Sequence, residues 1–499
     1  MTTELEIGLY IFMLAGFLGY HLISGVPPLL HTPLMSATNA MSGISLVGSL
    51  IVAGAGHDPL STAFGFIAVT CSSTNVVGGF LITDRMLRMF KREQDRVARK
   101  GRGRTVALAL LTVLAVLVGV ILSFPDLRSH FAGRDLTQAL KFCYILSAAL
   151  FIMGLKGLSS PRYARKGMFL AEFGMVMAVV GTLLLPEIVT YRWIVVGLIL
   201  GSLIGGSMGM WIPMTAVPQR TALSHSLGAL AATLIGVSEY IRHGGALATV
   251  LMTAIGAEVV IGGLTFTGSL MAAGKLQGLL PGAPITYRAQ NASNIALLAV
   301  MLGSLVYLIL APSATWLFFV MVALALLFGF LLVIPIGAAD MPVVISLLNS
   351  YAGLADAAMG FVLMNKIQII TGSLDGTSGF LLSLLMCRAM NRSAINVLFG
   401  AFGKVEAEAV GPAAEAKGSV RSIAPDEVAT LFDGAQSVII VPGYGMAVAQ
   451  AQHGVAELGK RLMKRGIDVK YAIHPVAGRM PGHMNVLLAD AQVPYDQLY

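Results

Sequence analysis

The feature that most narrows the fold of this chain is a succession of apolar runs, each about as long as a bilayer is thick. A span needs about 20 predominantly apolar residues, because every backbone N–H and C=O in hydrocarbon must be bonded within its own helix. Runs of that kind fall near residues 7–26, 40–55, 62–83, 105–124, 138–157, 167–185, 193–211, 220–240, 247–271, 292–311, 314–335, 340–364 and 366–390, about 13 in all, the second being short. Hydrophobic residues make up 56% of the 499 and charged residues 12%, and mean hydropathy is +0.80. Those values exclude a water-soluble domain of this size. The first run follows Glu4 and Glu6 rather than a basic segment and has no small-residue cleavage site, so it is expected to stay as a span.

Net charge is +8, but the basic residues gather in short loops between runs. The positive-inside rule accounts for them better than nucleic-acid binding does. Nine of them (Arg85, Arg88, Lys91, Arg92, Arg96, Arg99, Lys100, Arg102 and Arg104) share one loop, which is therefore expected on the cytoplasmic face. Alternation puts 156–166, 219–220, 275–288 and 388–392 on the same face, with the N-terminus outside and the C-terminal region inside. Cys71, Cys143 and Cys387 lie within or beside apolar runs without C-x-x-C or metal-ligand spacing. They read as small core residues, and no metal site is expected.

Past Arg392 the composition changes. Residues 400–419 are rich in Gly, Ala and Glu around Pro412 and lose apolar periodicity, as a flexible linker does. Pro425, Asp426 and Glu427 then open a short amphipathic helix. Next comes an apolar strand at 437–441, a G-x-G-x-x-V made by Gly443, Gly445 and Val448, a helix over 447–464 and a second strand at 468–473. Strand, turn and helix in that order cradle a pyrophosphate on backbone N–H groups, and the second strand favours this reading over a structural glycine turn. The second strand ends in His474 and Pro475, where a plain NAD site has a carboxylate for the ribose hydroxyl. A phosphorylated ribose is expected instead. The chain thus reads as a polytopic α-helical membrane protein with a C-terminal partial α/β Rossmann-like nucleotide-binding domain.

Polar residues inside the spans are the other informative set, because a charge at bilayer depth costs at least a few kcal/mol and persists only where it is paired, hydrated or used. His225 lies in Leu223-Ser224-His225-Ser226-Leu227-Gly228. An imidazole titrates near neutrality and can pass a proton on, whereas its bland reading is a neutral ring bonded to a neighbour. Within a span the functional reading is preferred. Asn349, Ser350 and Ser269 each read singly as interhelical glue, and with His225 they could line a water path. Asp340 precedes Met341 and Pro342 as a helix cap would, a reading at least as good as a gating role. For Glu258, Asp356 and Asp375, also expected at bilayer depth, a proton relay and pairing with a donor are both open.

Several long motifs resemble the proton-translocating nicotinamide nucleotide transhydrogenases. They are His31-Thr32-Pro33-Leu34-Met35-Ser36 with Thr38-Asn39-Ala40, Thr265 to Ser269, Ala339-Asp340-Met341-Pro342-Val343 with Leu348-Asn349-Ser350-Tyr351, Ala389-Met390-Asn391-Arg392-Ser393, and Pro442-Gly443-Tyr444-Gly445-Met446-Ala447-Val448-Ala449-Gln450-Ala451-Gln452. The last continues through His474-Pro475-Val476-Ala477-Gly478-Arg479-Met480-Pro481-Gly482-His483-Met484-Asn485. The resemblance implies an alpha-type membrane segment at 1–95, a basic loop and linker span at 96–137, a beta-type membrane domain at 138–395, a linker at 396–430 and a partial NADP(H)-binding domain at 431–499. It implies hydride transfer from NADH to NADP+ coupled to inward proton movement, with His225, Ser269, Asn349 and Asp340 on the proton and coupling path. NADP(H) would be held by Gly443, Tyr444, Gly445, Ala447, Val448, Arg479 and Gly482, and NAD(H) by a separate alpha subunit. A homodimer in a bacterial inner membrane, with lipid and no nucleic acid as partners and a cytoplasmic nucleotide domain, is implied as well.

The chain departs from the family pattern at Asp356 and Asp375, where small or apolar residues are expected. It also stops at Tyr499, where the family's nucleotide domain continues, so a C-terminal truncation is expected. The competing readings are a nucleotide-gated ion channel or transporter, which would move ions without a partner dehydrogenase domain, and an inactive truncated fragment.

Overall fold

The computed structural model describes residues 3–56, 58–88, 134–211, 213, 216–245, 247–390, 393, 397, 423–474, 477–478 and 482–499. The expected span at 105–124, the basic residues from Lys91 to Arg104, Arg392, the 400–419 linker and Arg479 lie outside the described residues. Among the described residues, 12 helical segments are long and apolar enough to cross a bilayer. They are α1 (Thr3–Ile23), α2 (His31–Met41) running through a 3-10 turn into α3 (Ser45–Gly54), α4 (Pro59–Leu87), α5 (Arg134–Leu158), α6 (Ala164–Leu183), α7 (Arg192–Met210), α8 (Val217–Arg242), α9 (Thr249–Gln277), α10 (Gln290–Leu310), α11 (Thr315–Val333), α12 (Met341–Val362) and α13 (Lys366–Ala389).

The second span begins at His31, nine residues before the expected position. Hydropathy misses its first half because His31, Thr32, Ser36, Thr38 and Asn39 are polar, yet each is at most 2% exposed. This segment faces protein rather than lipid. The His31–Gly54 span is 94% buried against 22% for Thr3–Ile23, so the polar segment runs through the centre of the bundle and α1 sits at its rim. Around it, Leu34, Met35, Ile345, Leu374 and Leu382 form the largest apolar core.

Contacts at helix ends assign the two faces of the bundle. After the helix α14 (Pro425–Asp433) come strand β1 (Ser437–Ile440), helices α15 (Tyr444–Val448) and α16 (Gln452–Lys464), strand β2 (Asp468–Tyr471) and helix α17 (His483–Asp490). Met484, Val486, Leu487 and Ala447 of this module pack on Ile82 and Met86 at the end of α4, Val217 at the start of α8, and Leu29. That surface is the module face. On the far face, the Val189 N–H donates to Gly54 O at 2.7 Å and Tyr240 Oη donates to Pro312 O at 2.7 Å. Arg165 at the start of α6 pairs with Asp84 near the end of α4 at 3.8 Å, so α5 ends on the module face and starts on the far one. Arg85, Arg88, Lys156, Arg165, Lys275 and Arg388 all stand at helix ends on the module face, in keeping with one cation-rich side.

Inside the module β1 and β2 are parallel, in register from Ser437 with Asp468 to Ile440 with Tyr471. Tyr471 also makes a parallel bridge to Leu498, and its carbonyl accepts from Tyr499 N at 2.8 Å. A core of Ala456, Leu462, Val469, Tyr471, Leu488 and Val493 lies beneath the sheet. The helix expected over 447–464 is two helices. Gln450 has φ 52, which no α-helix tolerates, and the Ala451 N–H reaches back to Met446 O at 3.0 Å, closing the first helix with a left-handed cap.

Candidate functional site

Two side chains expected to act together do meet. His225 on α8 and Ser269 on α9 lie 2.8 Å apart, Nδ1 to Oγ, and each is 1% exposed. Both stand eight residues from the module-face end of their helices, Val217 and Gln277, or about 12 Å deep at 1.5 Å per residue. Asn349 is likewise eight residues from the start of α12, and its Nδ2 donates to Thr38 Oγ1 at 2.8 Å. The three residues therefore share one depth. No hydrogen bond among the described residues joins Asn349 directly to the His225 pair. Their helices touch one residue away, since a Cβ built on Gly268 would lie 3.2 Å from Leu348 Cδ2.

The link between them runs through residues with no expected role of their own. Ser224, the neighbour of His225, donates to Asn75 Oδ1 at 2.8 Å, and Asn75 Nδ2 donates to Asn39 O at 3.0 Å. Asn39 is the chain neighbour of Thr38, which holds Asn349. A polar circuit thus passes from α8 through α4 and α2 to α12. The signal that would have found it is the density of Ser, Thr and Asn within two otherwise apolar spans, since such groups persist in hydrocarbon by bonding across helices.

Asp340 occupies the N-cap position of α12 but makes no capping bond with its side chain. It sits in charge range of Cys387 on α13 instead, close to the end of the last span. Cys71, Cys143 and Cys387 are all free, and Cys71 and Cys387 are buried, as the core reading requires. Lys275, near the end of α9, is 1% exposed and donates to Ile334 O and, at 2.7 Å, to Ile336 O. It holds the carbonyls at the end of α11 that no helical N–H can reach. Sequence reasoning treated it only as a loop cation.

In the module, Gly443 precedes α15 and Gly445 lies within it, and a Cβ built on either would meet nothing within 4 Å. The backbone is open there to a large group. Gly482 has φ 71, a conformation that favours glycine, and caps α17. Ala447 is buried in the contact with the membrane domain and Tyr444 packs beside it, whereas Val448 is exposed. The fingerprint residues therefore divide between an open edge and the docking surface.

These features define a multi-pass membrane protein with a buried polar circuit at bilayer depth and a small α/β module seated over it. Comparison with known proteins supplies the family. Residues 140–499 match the NAD(P) transhydrogenase beta subunit model, and residues 8–92 match the 4TM region of pyridine nucleotide transhydrogenase. The chain is 45% identical over 373 residues to the NAD(P) transhydrogenase subunit beta of Rhodospirillum rubrum, an alignment spanning 73% of this chain and 80% of that relative. It is 45% identical over 84 residues to the second piece of the NAD(P) transhydrogenase subunit alpha of Rhodospirillum rubrum, covering 17% of this chain and 60% of that protein. The chain belongs to the NAD(P) transhydrogenase beta subunit family.

Proposed function

We propose that this chain is the membrane and NADP(H)-binding portion of a transhydrogenase in which hydride transfer from NADH to NADP+ is coupled to inward proton translocation. The observation that carries the coupling is the 2.8 Å contact of His225 and Ser269 at bilayer depth, beneath a module with an open glycine edge. An imidazole can gain and lose a proton near neutral pH, and the Ser269 hydroxyl fixes the ring so that one nitrogen is presented to the path. Asn349, held by Thr38, stands at the same depth and would orient a proton carrier between α12 and α9. Asp340 and Cys387, at the module-side ends of the last two spans, would pass a change in the membrane site toward the module.

The module fits a dinucleotide. Parallel β1 and β2, two helices between them and a Leu498 segment bridged beside β2 support a doubly wound, Rossmann-like reading. The free space over Gly443 and Gly445 admits a pyrophosphate where any larger residue would stand. Arg479 and Gly482 would complete the NADP(H) site. The bound nicotinamides supply the hydride chemistry; this chain binds and orients one of them and moves the proton. NAD(H) would be held by a separate alpha subunit, in a complex expected to be dimeric, in a bacterial inner membrane with the module on the cytoplasmic side. The divisions 1–95, 96–137, 138–395, 396–430 and 431–499 follow from the same reading.

The test is His225→Ala in sealed vesicles that also contain the NAD(H)-binding partner. Proton movement driven by hydride transfer should be lost while NADP(H) binding is kept. Undiminished proton movement in that variant would end the assignment of His225.

A further inference from the structure

The circuit around His225, Ser269 and Asn349 reaches only the module-side half of the membrane. A proton crossing the bilayer needs groups in the other half too. Among the described residues the far half holds four buried acidic side chains that the module-side path leaves unused. Glu239 is three residues from the end of α8, Asp356 six from the end of α12, Glu258 nine from the start of α9 and Asp375 nine from the start of α13. At 1.5 Å per residue those positions lie about 5, 9, 14 and 14 Å from the far face. Asn349 lies thirteen residues from the same end of α12, or about 20 Å in.

The four form a sequence in space as well as in depth. Glu239 is the mouth: it is 3% exposed and pairs with Arg242 at 3.3 Å and His243 at 3.9 Å, both of which reach solvent. Glu258 lies in charge range of Glu239 on one side and Asp356 on the other, against the Gly236 backbone of α8. Asp356 is in charge range of Asp375, and Asp375 lies beside Asn349. Asp356 and Asp375 flank the crossing of α12 and α13, where Gly353 and Gly372 let the backbones nearly touch. Glu258, Asp356 and Asp375 are at most 2% exposed, and no ion pair among the described residues includes any of them.

A structural role would require donors in place, and the two that come near, the Gly236 backbone at Glu258 and the Asn349 side chain at Asp375, form no well-aligned bond. Both carboxylate oxygens of Glu258, both of Asp375 and Oδ2 of Asp356 lack a hydrogen-bond partner among the described residues. Asn349, 1% exposed, turns its amide nitrogen to Thr38 and leaves Oδ1 unbonded next to Asp375. Carboxyl groups persist at such depth only where they are paired, hydrated or used, and no ion pair among the described residues holds these three.

We propose that Glu258, Asp356 and Asp375 are a proton relay that carries protons from Glu239 at the far face to Asn349, completing the far half of the path. The inference rests on the proton-translocating function proposed for this chain. Each hop breaks one carboxyl O–H bond and forms one on the next acceptor, directly or through an intervening water. The donor is left as a carboxylate until a proton arriving from Glu239 restores it, so each site ends a cycle as it began. Asn349 accepts no net proton and serves as the hydrogen-bonding step between Asp375 and the module-side circuit, where a ring nitrogen of His225 takes the proton up.

Two measurements test this on the full chain in lipid with its NAD(H)-binding partner. Infrared spectroscopy should show carbonyl stretching bands of protonated carboxylic acids that shift in heavy water, one component vanishing in each of Glu258→Gln, Asp356→Asn and Asp375→Asn. In sealed vesicles Asp375→Asn should slow proton movement by about 100-fold or more, the scale of losing a proton-transfer group, with NADP(H) binding unchanged and Asp375→Glu restoring some of the loss. The parent protein lacking any such band, or Asp375→Asn pumping at the parental rate, would overturn the relay. If His225→Ala abolishes pumping while Asp375→Asn pumps normally, the relay falls and the transhydrogenase function stands. If His225→Ala also pumps normally, the fault lies with that function. Because the infrared bands are read on the parent, a variant that fails to fold leaves the proposal exposed to refutation.

Discussion

At the level of single residues, the sharpest distinction is between glycines that the fold needs and glycines that a ligand would need. A Cβ on Gly445 would meet nothing within 4 Å, so Gly445→Val should leave the module's stability nearly unchanged. If the open edge holds a pyrophosphate, the same change should weaken NADP(H) binding by at least tenfold, since close backbone approach is what the glycine permits. Calorimetric titration beside thermal unfolding separates the two, and unaltered binding would leave the glycine with only a turn to explain. Gly459 is the counter-case, because its added Cβ would strike the Tyr471 hydroxyl. That tyrosine gives the module a pH limit. Burial raises its phenol above the ordinary value of 10.0, so the unfolded chain gives up the proton first as pH rises. Stability from Tyr471 is complete below that value and is lost as pH climbs through the folded one. Alkaline unfolding of the module, followed by fluorescence, should therefore weaken in Tyr471→Phe, and an identical alkaline limb in the variant would assign the effect elsewhere.

Among whole elements, the α12 and α13 crossing shows what decides helix packing in this chain. A Cβ on Gly353 would fall 2.9 Å from Gly372 O, closer than real Cβ atoms come, whereas one on Gly303 of α10 would meet nothing. Gly353→Ala should cost about 1–3 kcal/mol by forcing packed helices apart. Gly303→Ala should be neutral or slightly stabilising, and thermal unfolding of the solubilised protein gives both. Equal midpoints for the two variants would mean that the crossing yields easily to an added methyl group. These elements differ in how far the sequence revealed them. Lipid-facing helices such as Thr315–Val333 are read within two residues, because length and hydropathy are set by the bilayer itself. The His31–Gly54 span was half hidden, since a helix enclosed by other helices can carry Thr38 and Asn39 where a lipid-facing one could not. His225 and Ser269 were legible as polar intruders, but their 2.8 Å contact depends on the rotation of two helices, which no local pattern encodes. For the same reason the bonds of Asn75 and Lys275 are not legible in the sequence, because each depends on a partner on another helix or loop.

For the molecule as a whole, the decisive arrangement is the seat of the module on the membrane domain. Ala447, of the fingerprint segment, is buried in the same apolar cluster as Met86 and Val217, and Val217 opens the helix that carries His225. The open glycine edge and the buried polar circuit are thus joined by α8 and by a patch of apolar side chains. A coupling device needs such a contact, because two sites influence each other only if each biases a shared two-state element. Met86 offers a way to break it from the membrane side. It is 1% exposed, and Met86→Asp would bury a carboxylate against Met484 and Leu487 at a cost of several kcal/mol, more than an interface of this kind is expected to hold. The module should then lift away while its own core around Tyr471 stays folded. Amide exchange should quicken across 29–31 and at Val217, NADP(H) affinity should persist, and proton movement should uncouple from hydride transfer. Were exchange to quicken while coupling stayed intact, the seat would be a resting place for the module, and the signal between nucleotide and proton would have to pass through the chain that follows Ala389.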